Sequence, residues 1–442
     1  MASNRTILRA RSETENKWLE RAAAVLPAGG FGNFDPGIVI ARGEGGRVWD
    51  ESGNAYVDFL IGSGPMLVGH AHPEVNEAVI AQLAKGTTFF TSNAAGIELA
   101  EVICEAVPCA EQLRYVSTGS EADMYAVRLA RAHTGRDKIL KFEGGYHGMS
   151  GDALMSMMPD RLVNFPQALP DTAGLRESDR DGVLVAPFND IEATRQIIAE
   201  HADGIAGIIV EPLQRLIPPV AGFLEGLREE ATRRGIVLIF DEVVTGFRLD
   251  YGGGQALYGV TPDLCTLGKV IGGGFPLAAI AGRKDIMAHF DKALVGRERF
   301  TFQVGTLSGN PVAAVAGLKT LEILRRPGSY ERLRNTGNRL MSHLEHTLAG
   351  NGIAATVVGD PVLFDVVFTS GPVHDYRDTM RGDAARTAHF NASLRRHGIL
   401  KAPSKYYVSL AHDVADVTDA CEAITRATQE LNQYATRRRR DT

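Results

Sequence analysis

A chain of 442 residues with 44% apolar and 23% charged residues is long enough for a sizeable buried core and for more than one average domain. Its formal charge of -6 argues against nucleic acid or an anionic membrane as partner, and the one basic run, Arg437 to Arg440, reads as a solvated C-terminal tail. Cys104, Cys109, Cys265 and Cys421 lack C-x-x-C or zinc spacing, so neither a disulfide framework nor a metal site is expected. The N-terminus MASNRTILRARSETENKW has no apolar signal core, and no stretch approaches the roughly 20 apolar residues of a membrane span, so the expected location is cytoplasmic.

Apolar side chains at Trp18, Leu19, Ala22 and Val25 or Leu26 have helical spacing before Pro27-Ala-Gly-Gly, which predicts an N-terminal arm. Arg47 to Leu60 holds two alternating runs around Ser-Gly-Asn, a hairpin signal. From about Pro73, short apolar runs at 113–116, 138–142, 205–210, 236–240 and 264–267 alternate with helix-like segments such as 121–132, 191–201 and 223–234. That alternation predicts an α/β fold, a mainly parallel sheet covered by helices, with its ligand crevice beyond the C-terminal strand ends. Beyond Gly309-Asn310-Pro311 a long helical stretch to about Leu348 precedes a strand-like 362–368, a helix near 383–397, a short strand and a helix from Val417. This is the pattern of an α+β lobe. No internal repeat or low-complexity linker separates the parts.

Four segments carry candidate chemistry. Lys269 ends an apolar run and is followed by glycines at 272–274 that let backbone approach a bulky group. Most lysines are solvated surface charges, but a desolvated one becomes a nucleophilic amine suited to Schiff-base formation. Asp241 follows the apolar run 236–240 and, buried, requires a partner: a helix N-terminus, an arginine, or a cationic ring nitrogen. Gly119-Ser120 opens a helix after a strand, where free N–H groups suit either a capping serine or a phosphate. Tyr146, in Gly-Tyr-His-Gly at another strand end, is either core or a platform for a flat ring.

Together these segments resemble the class III aminotransferases of pyridoxal-phosphate (PLP) fold type I, most closely the glutamate-1-semialdehyde 2,1-aminomutase branch. The likeness extends over almost the whole chain and includes Gly64-Pro-Met-Leu-Val-Gly-His-Ala-His-Pro, Thr-Gly-Ser-Glu-Ala, Glu211-Pro212, Asp-Glu-Val-Val-Thr-Gly-Phe-Arg and Gly305-Thr-Leu-Ser-Gly-Asn-Pro. The resemblance implies that Lys269 holds PLP as a Schiff base, Asp241 pairs with the pyridinium nitrogen, Tyr146 stacks on the ring, and Gly119 with Ser120 binds the phosphate; with Asp241 on the ring nitrogen, Val243 would pack on a ring face. It further implies a homodimer in which Thr306 reaches the neighbouring subunit's phosphate. The implied division is 1–72 as arm and small-domain segment, 73–315 as the large PLP domain, and 316–442 as the C-terminal small domain.

On the substrate side the chain departs from the mutases. The stretch Gly30-Phe-Gly-Asn-Phe-Asp-Pro lacks their carboxylate-binding arginine, and the short Lys405-Tyr-Tyr-Val lacks their acidic residue. Arg215, in a shortened loop after Glu211-Pro212, Lys401 and Lys405 are the candidates to take a substrate carboxylate, arginine through its two-pronged fork. The favoured activity is amino-group transfer between an amino acid, with β- and ω-amino acids included, and a 2-oxo acid by a ping-pong mechanism. The alternatives are the aminomutase itself, an epimerase or decarboxylase on the same scaffold, and a non-catalytic binding protein.

Overall fold

The computed structural model describes residues 8–33 and 37–441, with side chains to residue 433. Residues 34–36 of the substrate-side stretch and the side chains of the basic run 437–440 lie outside them. The chain divides into two compact units, Met1–Pro73 with Gly328–Pro372 and Arg381–Thr442, and Glu74–Pro327 with Val373–Met380.

The first unit opens with the helix Glu13–Val25, capped by the Ser12 hydroxyl, which accepts the Glu15 N–H at 3.1 Å. Glu15 is the residue this helix buries, and its carboxylate accepts the Val39 N–H at 3.0 Å. Trp18 and Val25, two of the apolar residues whose spacing predicted the helix, are exposed. Strands β1 (Ile40–Glu44), β2 (Arg47–Asp50) and β3 (Ala55–Phe59) follow as an antiparallel meander, β2 and β3 forming the predicted hairpin.

The second unit holds a seven-stranded sheet of β4 (Gln112–Val116), β5 (Lys138–Phe142), β6 (Val183–Ala186), β7 (Ile205–Val210), β8 (Val237–Glu242), β9 (Leu264–Leu267) and β10 (Ala278–Gly282), in the order β4-β10-β9-β8-β7-β5-β6. All run parallel except β10, which is antiparallel to both β4 and β9. The near-continuous Val, Ile and Leu of β7 and β8 suit strands buried on both faces. Ala126, Leu129 and Ala130 of the Gly119–Thr134 helix pack with Ile139, Ile209 and Ile239 in the core. The fold is therefore the α/β type with a large mainly parallel sheet.

The long helical stretch expected after Pro311 forms as two helices, Pro311–Leu324 and Ser329–Gly350. Pro327 and Gly328, the latter at φ 83°, separate them. Residue 315 lies inside the first helix, so the second unit continues to Pro327 rather than stopping at 315. The first unit then resumes with β11 (Thr356–Asp360), β12 (Leu363–Val367), the helix Ala384–Arg396, β13 (Ile399–Lys401), β14 (Tyr406–Tyr407) and the helix Val414–Asp441. Here β13 extends the β1-β2-β3 sheet in parallel to β3, while β11, β12 and β14 form a separate sheet. Among the described residues no helix is long and apolar enough to cross a membrane.

Candidate active site

In a parallel sheet the strands deliver their following loops to one edge. Here β4, β5, β7, β8 and β9 deliver Ser117 to Ser120, Glu143 to Gly148, Glu211 to Arg215, Asp241 to Val243, and Gly268 with Lys269. Asp241 is 5% exposed. Its Oδ2 lies 2.8 Å from His147 Nδ1, and its Oδ1 accepts the Val243 N–H at 3.1 Å and the Thr266 hydroxyl at 3.4 Å. A carboxylate only accepts, so Nδ1 of the imidazole is the donor. His147 is equally buried, and its Nε2 has no hydrogen-bond partner among the described residues.

Lys269 follows β9 and Gly268 at φ 48°, the left-handed region that side chains other than glycine rarely adopt. Such strain persists only where the surroundings over-determine it, and it concentrates at functional sites. The lysine charge is felt by Asp123 on the Gly119–Thr134 helix. Burial, and then the Asp241 charge, push the Asp123 carboxyl well above the usual carboxylate range, while the Thr266 hydrogen bond and Lys269 pull the other way.

The start of that helix is arranged to take an anion. A capping box spends the N–H groups of Thr118 and Glu121, at 2.8 and 3.2 Å, and Ser117 N–H also donates to Glu121, at 2.9 Å. The N–H groups of Gly119 and Ser120 have no partner among the described residues, and they sit at the positive end of the helix. Neighbouring chain comes very close: a Cβ on Gly119 would lie 2.8 Å from Val243 Cγ1, and one on Gly148, at φ 86°, would lie 2.6 Å from Ser120 Cα. Only glycine permits both approaches.

Glu211 ties two further loops together. Its Oε1 accepts the Tyr146 N–H at 2.9 Å and its Oε2 the Arg215 N–H at 3.2 Å. The Arg215 guanidinium then sits 5.4 Å from the Tyr146 ring centroid. Burial raises the Tyr146 phenol although Arg215 opposes the shift. Behind this pair, Arg377 holds the buried Glu143 through two bonds of 2.7 and 3.1 Å.

The model of the family Aminotransferase class-III matches residues 32–405. The chain belongs to the class III aminotransferases. An omega-transaminase from Sphaerobacter thermophilus is 37% identical, covering 94% of this chain and 97% of that one with a TM-score of 0.88. A beta-phenylalanine aminotransferase from Variovorax paradoxus is 33% identical, covering 93% of each chain with a TM-score of 0.82. A glutamate-1-semialdehyde-aminomutase from Pseudomonas aeruginosa PAO1 shares the fold at 22% identity, 95% and 94% coverage and a TM-score of 0.83.

Class III aminotransferases depend on PLP, and this aminotransferase meets the needs of that group. The two unpartnered N–H groups suit its phosphate, the buried Asp241 suits its cationic ring nitrogen, the glycine approaches leave room for backbone beside a flat ring, and Lys269 supplies the amine. Of the residues expected from the sequence, Gly119, Ser120, Tyr146, Arg215, Asp241, Val243 and Lys269 all stand at this sheet edge. Thr306 lies on an exposed turn beside a recess of about 700 Å³ lined by Phe90, Asn93, Tyr115, Gly305 and Ser308.

One candidate for the substrate carboxylate is corrected. Lys401 is buried in the first unit, 2.8 Å from Asp365, and its ammonium also donates to Asn391 at 3.0 Å and to the Ala402 carbonyl at 2.9 Å. Those three acceptors use its donors. Lys405 is buried as well, 5.9 Å from the Tyr407 ring centroid. His147, Glu211, Thr266 and Asp123 had no role predicted from the sequence. A signal was available for Asp123, a carboxylate on the same helical face as Ala126 and Ala130.

Proposed function

We propose that this aminotransferase moves the amino group of a β- or ω-amino acid to a 2-oxo acid in two ping-pong half-reactions, with Lys269 as the residue that carries the cofactor. The observation that carries the reading is Lys269 in a strained conformation just past the end of β9, the strand paired with β8, whose buried Asp241 is fixed by His147. The likeness to an omega-transaminase and a beta-phenylalanine aminotransferase supports the donor class.

Bound PLP supplies an electron sink for the negative charge that develops on the substrate's amine-bearing carbon. Asp241 keeps a proton on the ring nitrogen, since its carboxylate is already oriented by His147 and the Val243 N–H. Gly119 and Ser120 would hold the phosphate, and Tyr146 and Val243 would pack against the ring. Nζ of Lys269 would carry the cofactor and, when free, would take the proton from the substrate's amine-bearing carbon. Arg215, anchored through its backbone to Glu211, receives the substrate carboxylate. In a homodimer, Thr306 would reach the neighbouring subunit's phosphate; the exposed Phe90 and Val304 lining the 700 Å³ recess support such an interface. The four unpaired cysteines suit a reducing, cytoplasmic setting.

The test is spectroscopic. Wild-type enzyme should show the visible absorption of lysine-bound cofactor, lose that band on borohydride reduction and keep the cofactor covalently attached, whereas Lys269→Ala should keep none attached. Equal retention in both would end the assignment. A donor and acceptor screen then separates the substrate classes. Rapid 5-aminolevulinate formation from glutamate-1-semialdehyde alone, without added amine or keto acid, would replace the transaminase reading by the aminomutase.

A further inference from the structure

Beneath the proposed cofactor site runs a buried line of polar groups that the reaction as described does not use. Asp123 and Thr266 are 3% and 0% exposed, and the Thr266 hydroxyl lies 2.6 Å from Asp123 Oδ1 and 3.4 Å from Asp241 Oδ1. On its far side Asp241 meets His147 at 2.8 Å. Two carboxyl groups thus share one threonine hydroxyl.

That hydroxyl has a single proton to donate. With both carboxylates ionised, one would face a lone pair of the threonine oxygen as well as the charge of the other, out of reach of water. One proton on the pair removes the conflict. Asp241 already accepts from two other donors, His147 and the Val243 N–H. Among the described residues no lysine, arginine or histidine forms an ion pair with Asp123. The charged groups bearing on Asp123 are Asp241 and Glu211, which disfavour its ionisation, and Lys269, which favours it. The shared proton therefore belongs on Asp123. Its O–H then donates to Thr266, and the Thr266 O–H turns toward Asp241.

We propose that Asp123 is a positioning residue, carried as a neutral carboxylic acid, that acts through the Thr266 hydroxyl to set how strongly Asp241 holds the protonated ring nitrogen of the cofactor. This rests on the assignment of Asp241 to that nitrogen. The donated hydrogen bond draws charge away from the carboxylate, so removing it makes Asp241 the stronger acceptor.

The holoenzyme at neutral pH provides the test, with infrared difference spectra and the PLP dissociation constant as readouts. Wild type should show the C=O stretch of a protonated carboxylic acid that Asp123→Asn lacks. Asparagine keeps shape, neutrality and a donor, so its dissociation constant should stay within about twofold of wild type. Thr266→Val removes the relay and should tighten PLP binding about three- to tenfold, the effect of one weak hydrogen bond to a charged acceptor, while Thr266→Ser should restore the wild-type value. The proposal is overturned if no acid band is lost in Asp123→Asn. It is equally overturned if that variant's dissociation constant moves by about tenfold or more, as removing a true negative charge would require. Should Asp123→Asn fail to fold, equal PLP affinities for Thr266→Val and Thr266→Ser overturn it. Failure of the underlying assignment looks different: Asp241→Asn would bind PLP as wild type does while the acid band persists.

Discussion

Replacing Lys401 by methionine removes a cation and keeps most of its apolar length. In the wild type its ammonium is 2.8 Å from Asp365, with side-chain exposures of 3% and 8%, and 4.9 Å from the Tyr406 ring centroid. Burial raises the Asp365 carboxyl, and Lys401 is the first group holding it down. Breaking a buried pair by removing one partner costs about 3–5 kcal/mol. Proton uptake by the stranded Asp365 brings the expected loss to the lower end, about 3 kcal/mol. Each kcal/mol lowers Tm by roughly 2–4 °C in domains of 150–250 residues, so a fall on the order of 10 °C is expected by thermal unfolding. The double variant Lys401→Met with Asp365→Leu removes both charges and should recover to within about 1 kcal/mol of wild type. KM for acidic substrates should not change in either variant. A loss below about 1 kcal/mol together with a raised KM for every carboxylate substrate would refute the reasoning and return Lys401 to the substrate site.

Arg215→Ala should raise KM for carboxylate-bearing substrates by on the order of tenfold while leaving amines without a carboxylate unaffected; an unchanged KM for every acidic substrate would discard Arg215 as receptor. Gly148→Ala places a Cβ 2.6 Å from Ser120 Cα at φ 86°, so the helix start must shift. PLP affinity should fall along with stability, the latter by about 1–3 kcal/mol, as read by cofactor titration and thermal unfolding. Lys141 is buried on β5, its amine donating to the Ala153 and Met155 carbonyls at 2.8 and 2.6 Å, and desolvation lowers it from 10.5 to about 8. The unfolded chain binds the extra proton between about pH 8 and 10.5, so the stability of wild type relative to Lys141→Met should rise across that window and stay flat below it. A flat difference across the window in urea titrations would show that Lys141 is not desolvated.

Much of this protein was legible in order along the chain. Short apolar runs ending in polar turns marked β5, β7, β8 and β9 nearly residue for residue, because strand length and turn chemistry are local properties. The same runs located Asp241 and Lys269, since a polar residue closing an apolar strand is a local signal too. Strand β10 was not legible. Its Ala-Ala-Ile-Ala-Gly is poor in strand-forming residues, and it becomes a strand because β4 and β9 flank it and leave room for little more than small side chains. A Cβ on Gly282 would lie 2.4 Å from the Asp263 carbonyl oxygen. The fates of the charged side chains were likewise decided in three dimensions. Lys401 looked as available as Arg215 until Asp365 was brought beside it, and Asp123 meets Thr266 across 143 residues of sequence. Sequence alone determined which segments are strands and where their polar ends fall, through side-chain periodicity and turn chemistry. Only the tertiary structure decided which buried charges meet, because a low-dielectric interior makes each such group's state depend on partners from distant segments.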